Sequence, residues 1–184
     1  MITDQEILDE GKRIFEVLGQ KVGTYKEFPS SMILFRQGGE RIRVPIDHFA
    51  GEFGQDPGTI VKTLLPLLRK DKQLMGMLFF SEGWSLKGNI KQVVDMSSEA
   101  KEDLEKVMRG EMSVSDSQFK QECLMVNVET RSGRRLHFMR EIVHDQNGKR
   151  SMGEEQICFS EKDHMTGKTI GFFEDPPPMP TRFA

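Results

Sequence analysis

Two hydrophobic periods alternate along the chain. Residues 3 to 19 place Ile7, Gly11, Ile14, Phe15 and Leu18 on one helical stripe. Thr3 is a helix cap with Glu6 three residues on, a reciprocal arrangement that satisfies the first free amides, and Gly19 suits the stop. "SMILFRQGGERIRVPI" reads as two strands around Gly38-Gly39, the second alternating Ile42, Val44 and Ile46 against Arg41, Arg43 and Pro45. Asp56-Pro57 opens another helix with Ile60, Leu64, Leu67 and Leu68 on its buried side. Pro66 lacks the N–H that the preceding turn needs and is expected to kink or shorten that helix. From Leu74 to Gly88 the period returns to two: Leu78, Phe80, Glu82, Trp84 and Leu86 share one strand face, and Phe79, Ser81, Gly83 and Ser85 the other. Residues 97 to 112 suit a short charged helix with Ala100, Leu104, Val107 and Met108 on one side.

The strongest strand signal covers residues 120 to 159, three runs separated by "RSG" and "QNG". A two-residue Asn147-Gly148 turn predicts Asp145 opposite Arg150, Val143 opposite Met152 and Arg140 opposite Glu155. For the earlier turn, a three-residue loop from Ser132 to Arg134 matches apolar faces, setting Val128 against Phe138 and Leu124 against Ile142. Four prolines among the last nine residues cannot continue a sheet and predict a polyproline-like or disordered tail. The expectation is a single α+β domain over residues 1–160, with two or three helices packed on a largely antiparallel sheet, followed by a loop and Pro-rich tail over 161–184.

Composition narrows the class. With 36% hydrophobic and 30% charged residues among 184, the chain can build one core and is neither disulfide-rich nor fibrous. The formal net charge of -3 argues against broad, charge-driven nucleic-acid binding. Cys123 and Cys158 fall within apolar strand runs, without the spacing of a zinc site, and read as buried reduced thiols. The acidic, amphipathic start does not resemble a signal peptide, and no apolar run reaches membrane-spanning length. A cytoplasmic protein with no membrane partner is therefore expected.

Candidate chemistry begins with Glu82, Arg140 and Glu155, three ionisable groups on otherwise apolar faces. Burial raises a lone carboxylate's pKa and a nearby guanidinium lowers it, so the role depends on the pairing. Glu82 unpaired is a general base or acid; Glu82 clamped by Arg140 against the Trp84 face is a structural pair. The structural pair is the commoner arrangement, because ion-pair networks also perturb pKa values. Gly167-Lys168-Thr169 has Lys162 where a phosphate-binding loop needs glycine and is set aside. His48, His137, His144 and His164 form no metal motif, and neither cysteine has a neighbour that would activate it. Neither a metal nor a cofactor is expected. Arg131, Arg134 and Arg135 crowd a hairpin tip, a contact surface for phosphates or an acidic protein or, more commonly, solvated turn charge. The twelve methionines are read as core gap-fillers first and as a binding groove second.

An apolar strand running into Ser81-Glu82-Gly83-Trp84, followed by a strand that starts Lys120-Gln121-Glu122, resembles a group of small uncharacterised proteins of bacteria and their phages. The resemblance covers roughly residues 74 to 145, interrupted here by the charged segment 97–112. It implies architecture and origin, and no activity. Two functions are open. One is a non-enzymatic binding protein, a phage or mobile-element accessory that acts on a host protein, with Trp84, Arg131, Arg134 and Arg135 as contacts and homo-oligomerisation open. The other is a small hydrolase-like enzyme with Glu82 as general base and Arg140 as electrostatic stabiliser. An open pocket holding both residues would indicate the enzyme; a dry, closed pair would indicate the binding protein.

Overall fold

The computed structural model describes residues 2–86 and 97–160, without the side chains of residues 86, 108 and 154–160. Expectations for the Pro-rich tail, His164, the Gly167-Lys168-Thr169 segment and the side chains of Glu155 and Cys158 lie outside the described residues.

Helix α1 (Asp4–Lys21) starts as its sequence dictates: Thr3 Oγ1 accepts from the Glu6 amide at 3.3 Å, and the Glu6 carboxylate accepts from the Thr3 amide at 2.7 Å. It does not stop at Gly19. The helix runs two residues further, and Gly19 lies against Met152, where an added Cβ would sit 3.6 Å from that side chain. A glycine inside a helix costs about 1 kcal/mol relative to alanine. Strands β1 (Ser31–Arg36) and β2 (Arg41–Pro45) form the early hairpin. The chain then departs from the expected strand at Ile46 and enters a short helix, α2 (Ile46–Phe53), ended by Gly54 in the left-handed region. Helix α3 (Pro57–Lys70) follows, its N-cap Asp56 accepting from the Thr59 amide at 3.0 Å. It continues through Pro66 instead of ending there. Pro66 and Lys62 both face solvent, so water can satisfy the carbonyl that loses its partner. Strand β3 (Leu74–Leu86), helix α4 (Ser98–Met108), a 3-10 turn at Val114–Asp116, and strands β4 (Lys120–Thr130), β5 (Arg135–His144) and β6 (Arg150–Ser160) complete the described chain.

All six strands form one antiparallel sheet in the order β2-β1-β3-β4-β5-β6. The α+β class expected from the sequence is what the structure shows, with four helices in place of two or three. Both sides of β3 are buried. Leu78 and Phe80 face α1 with Leu124, Val126, Val128 and Phe138, and Phe15 stacks on Phe138 at 5.3 Å. Met77 and Phe79 face the opposite way, into a second core with Ile46, Ala50, Ile60 and Val61 from α2 and α3. Helix α4 packs separately, with Ala100 and Leu104 against Val114 and Phe119.

The hairpins correct the expected registers. Each closes on a three-residue loop whose last residue is a glycine with positive φ: Gly39 (85°), Gly133 (91°) and Gly148 (76°). The closing bonds run from Arg36 N–H to Glu40 O (2.9 Å), from Thr130 N–H to Arg134 O (2.9 Å) and from Asp145 N–H to Lys149 O (3.0 Å). This is a type I turn followed by a bulge glycine, and it needs only one left-handed residue. Asn147 accordingly has no positive φ, and the two-residue Asn-Gly turn is absent. His144 lies opposite Arg150, and Ile142 opposite Met152. A bulge between Arg140 and Ile142 then sets Arg140 opposite Gln156, displacing Glu155 from the expected partnership. Val128 pairs with Leu136 and Leu124 with Arg140, two residues from the expected register, so every face is preserved although the partners change. Gly148→Ala is expected to cost roughly 1 kcal/mol, while Asn147→Ala stays within a few tenths. Urea midpoints of the two variants check this; equal losses would indicate a turn with two left-handed residues.

Candidate functional site

The sheet rows explain where each candidate falls. Glu82 pairs with Leu124, and Leu124 pairs with Arg140, so a whole strand separates the carboxylate from the guanidinium that was expected to clamp it. At the usual strand spacing the two backbones stand about 9 to 10 Å apart. The partner is Arg150. Its Nη2 lies 2.6 Å from Glu82 Oε2, and both side chains are nearly closed to solvent, 8% and 4% exposed. The contact is close but poorly aligned, leaving both carboxylate oxygens without a well-formed hydrogen bond. Burial pushes the Glu82 carboxyl above its ordinary pKa; Arg150 and the Phe28 amide oppose that rise, and the neighbouring Glu122 carboxylate reinforces it.

Arg150 is a hub. Its Nη1 donates to the carbonyls of Tyr25 (3.0 Å) and Lys26, where the chain crosses the sheet after α1. Its Nη2 also donates to Glu122 Oε1 at 2.9 Å, and Glu122 Oε2 in turn meets His144 Nε2 at 2.7 Å. A line of charge therefore runs from buried Glu82 through Arg150 and Glu122 to His144 at the surface. Trp84 borders it. Its strand partner is Glu122, the residue is 47% exposed, and Lys120 Nζ sits 5.1 Å from the ring centroid, a cation–π contact. Tyr25, also 47% exposed, packs tilted against Phe28, with ring centroids 5.3 Å apart. The two short motifs at residues 81–84 and 120–122 thus meet in space: Glu82 and Glu122 share one arginine, and Trp84 and Lys120 share one face.

Sequence reasoning missed Arg150, Glu122 and His144. Arg150 follows a turn and so reads as solvated charge. The missed signal was the alternation of β6: with the three-residue loop Gln146–Gly148, Arg150 falls on the same inward face as Met152.

The remaining candidates do other things. Arg140 Nε donates to Gly153 O, and the side chain lines a cleft of about 270 Å³ with Phe15, Glu16, Gly19, Gln20 and Met152; Glu82 does not border it. Arg131 Nη1 donates to the carbonyls of Asp71 (2.8 Å) and Leu74 (3.1 Å), fastening the hairpin tip to the α3–β3 turn. Arg134 reaches Gln5 of α1 at 3.3 Å, and Arg135 stands 3.5 Å from buried Glu129. The tip is therefore engaged within the fold. Burial pushes the Cys123 thiol up to about 12, and its Sγ–H donates to Gly83 O at 3.6 Å, an unreactive setting. His137 is half-buried beside Asn127, and burial lowers its pKa to about 4, keeping it neutral. Among the described residues no group of histidine, cysteine and acidic side chains could hold a metal, and no helix is long and apolar enough to cross a membrane.

Comparison with family models, with curated proteins and with solved structures finds no match.

Proposed function

We propose that the chain is a non-enzymatic protein-binding domain whose contact surface is the end of the sheet around Trp84, Tyr25, Lys120 and His144. One observation carries the reading: the carboxylate best placed for chemistry, Glu82, has a side chain only 4% exposed, closed against Arg150, and does not line the Arg140 cleft. A general base must reach a substrate proton, and this one cannot. The buried pair instead fixes the ends of β3, β4 and β6 and the segment after α1, which holds two half-exposed aromatic rings in place. Tryptophan and tyrosine on a rigid base are the residue types that most often carry binding energy at protein interfaces. The further proposal of a phage or mobile-element accessory acting on a host protein rests on the resemblance over residues 74–145, whose two motifs form this surface.

The test is capture from an extract of the native host by the wild-type chain and by Trp84→Ala, read by mass spectrometry. Any protein retained by the first alone is then purified and titrated calorimetrically. Trp84→Ala is expected to weaken that binding at least tenfold, about 1.4 kcal/mol, while the domain stays folded. A turnover activity abolished by Glu82→Gln at unchanged stability would replace this reading with the enzymatic one.

A further inference from the structure

The cleft at Arg140 is lined by none of the residues of the Trp84 surface. Arg140 shares the inward face of β5 with Leu136, Phe138 and Ile142, where an unpaired charge is costly. Yet its described polar contact is the single bond from Nε to Gly153 O, and no carboxylate among the described residues pairs with it. That bond uses the carbonyl beside the β5–β6 bulge and occupies Nε, the Nη atoms have no described partner, and the side chain lines the cleft. Glu16, the acidic residue at the rim, is exposed and forms no ion pair with it. Gly19 forms part of the wall. Its φ needs no glycine and an alanine Cβ would meet Met152 only at ordinary contact distance, so what the missing side chain provides is space.

We infer that this cleft binds a monocarboxylate with a short apolar stem: the two carboxylate oxygens accept from the Nη edge of Arg140, and the stem lies against Phe15 and Met152. A guanidinium with one edge free is a two-pronged donor that matches a carboxylate. The Glu16 charge at the mouth disfavours dianions such as phosphate. At roughly 30 Å³ of liquid per water, a volume of about 270 Å³ suits a short-chain acid or the end of a peptide and is too small for a nucleotide. A free acid and a peptide C-terminus present the same chemistry, and affinity separates them.

The experiment follows the Arg140 Nε–Hε resonance of the full chain, assigned by its loss in Arg140→Gln, during titration with pentanoate, pentanamide, inorganic phosphate, N-acetyl-Ala-Leu and N-acetyl-Ala-Leu-amide. Both carboxylates should give saturable shifts, and the two amides and phosphate none. Dipeptide binding at least about tenfold tighter than pentanoate identifies a chain terminus as the ligand; equal or weaker binding identifies a small acid. Glu16→Gln should tighten pentanoate several-fold. Gly19→Ala, which improves helix propensity, should weaken it at least about threefold while the fold is kept, so the inference stays testable should Arg140→Gln fail to fold. Shifts of equal size with pentanamide or phosphate, no saturation with either carboxylate, or unchanged affinity in Gly19→Ala would overturn it.

Discussion

Replacing Arg150 with methionine is expected to lower the unfolding free energy by about 3 to 5 kcal/mol. The loss comes from what is left behind. Glu82 and Glu122 lose the cation they share, and the Tyr25 and Lys26 carbonyls lose a donor. Glu82→Leu alone should also destabilise strongly, because it leaves a guanidinium 8% exposed with one carboxylate fewer. The double variant should recover most of the Glu82 part and retain about 1 to 2 kcal/mol of loss for the two carbonyls. Glu82→Leu with Arg140→Met should be additive, since a strand lies between them. Trp84 fluorescence in urea reads all four. Dependence on pH supplies an independent check. Glu82 holds its proton more tightly in the folded than in the unfolded chain, so its contribution favours folding at low pH and is lost as pH rises from about 4.5 through the raised native value. Without Arg150 that native value rises further. The deficit of Arg150→Met should therefore shrink near pH 4.5 towards the part left by the two carbonyls and be largest near pH 7; a deficit independent of pH would mean that Glu82 carries no charge in the native protein.

Gly11→Ala is the second large effect. An alanine Cβ at this position in α1 would stand 2.2 Å from Val128 Cγ2, far inside contact distance. Valine in a strand has little rotamer freedom to move aside, so helix and sheet must separate. Overpacking of this kind costs about 1 to 3 kcal/mol, and the better helix propensity of alanine returns up to about 1. We expect a net loss of about 2 kcal/mol, and a double variant with Val128→Ala closer to wild type than Val128→Ala alone. Stability unchanged in Gly11→Ala would show that α1 does not lie this close to β4.

What could be read in advance follows from what each signal reports. Alternation of side chains reports faces, and the faces were right even where the register slipped by two, because Val128 and Leu124 keep their sides whichever partner they meet. The Thr3–Glu6 cap was legible because all its atoms lie within one turn. Loop length was not, since Asn147-Gly148 serves either a two- or a three-residue turn and only the backbone decides. Helix α2 escaped notice because eight residues with Ile46 in phase with Val44 look like more strand. The site was half legible: Glu82 was recognisable as a charge in apolar company, whereas its partner depends on a register that had been misassigned. Gly19 misled for a related reason, since a helix-ending residue and a space-making residue are the same letter.

The β2 edge of the sheet has a consequence for how copies of this chain behave together. Hydrogen-bonded pairs alternate from the Arg36–Glu40 closure, so the outward backbone groups of β2 belong to Arg41, Arg43 and Pro45. Proline has no N–H to offer, and an antiparallel copy of the strand centred on Arg43 would set that arginine against itself. Open edges of this kind are where folded chains recruit one another into aggregates. Here an incoming copy would find like charge at Arg43 and a missing donor at Pro45, so crowding alone should not drive the chain to polymerise along this border.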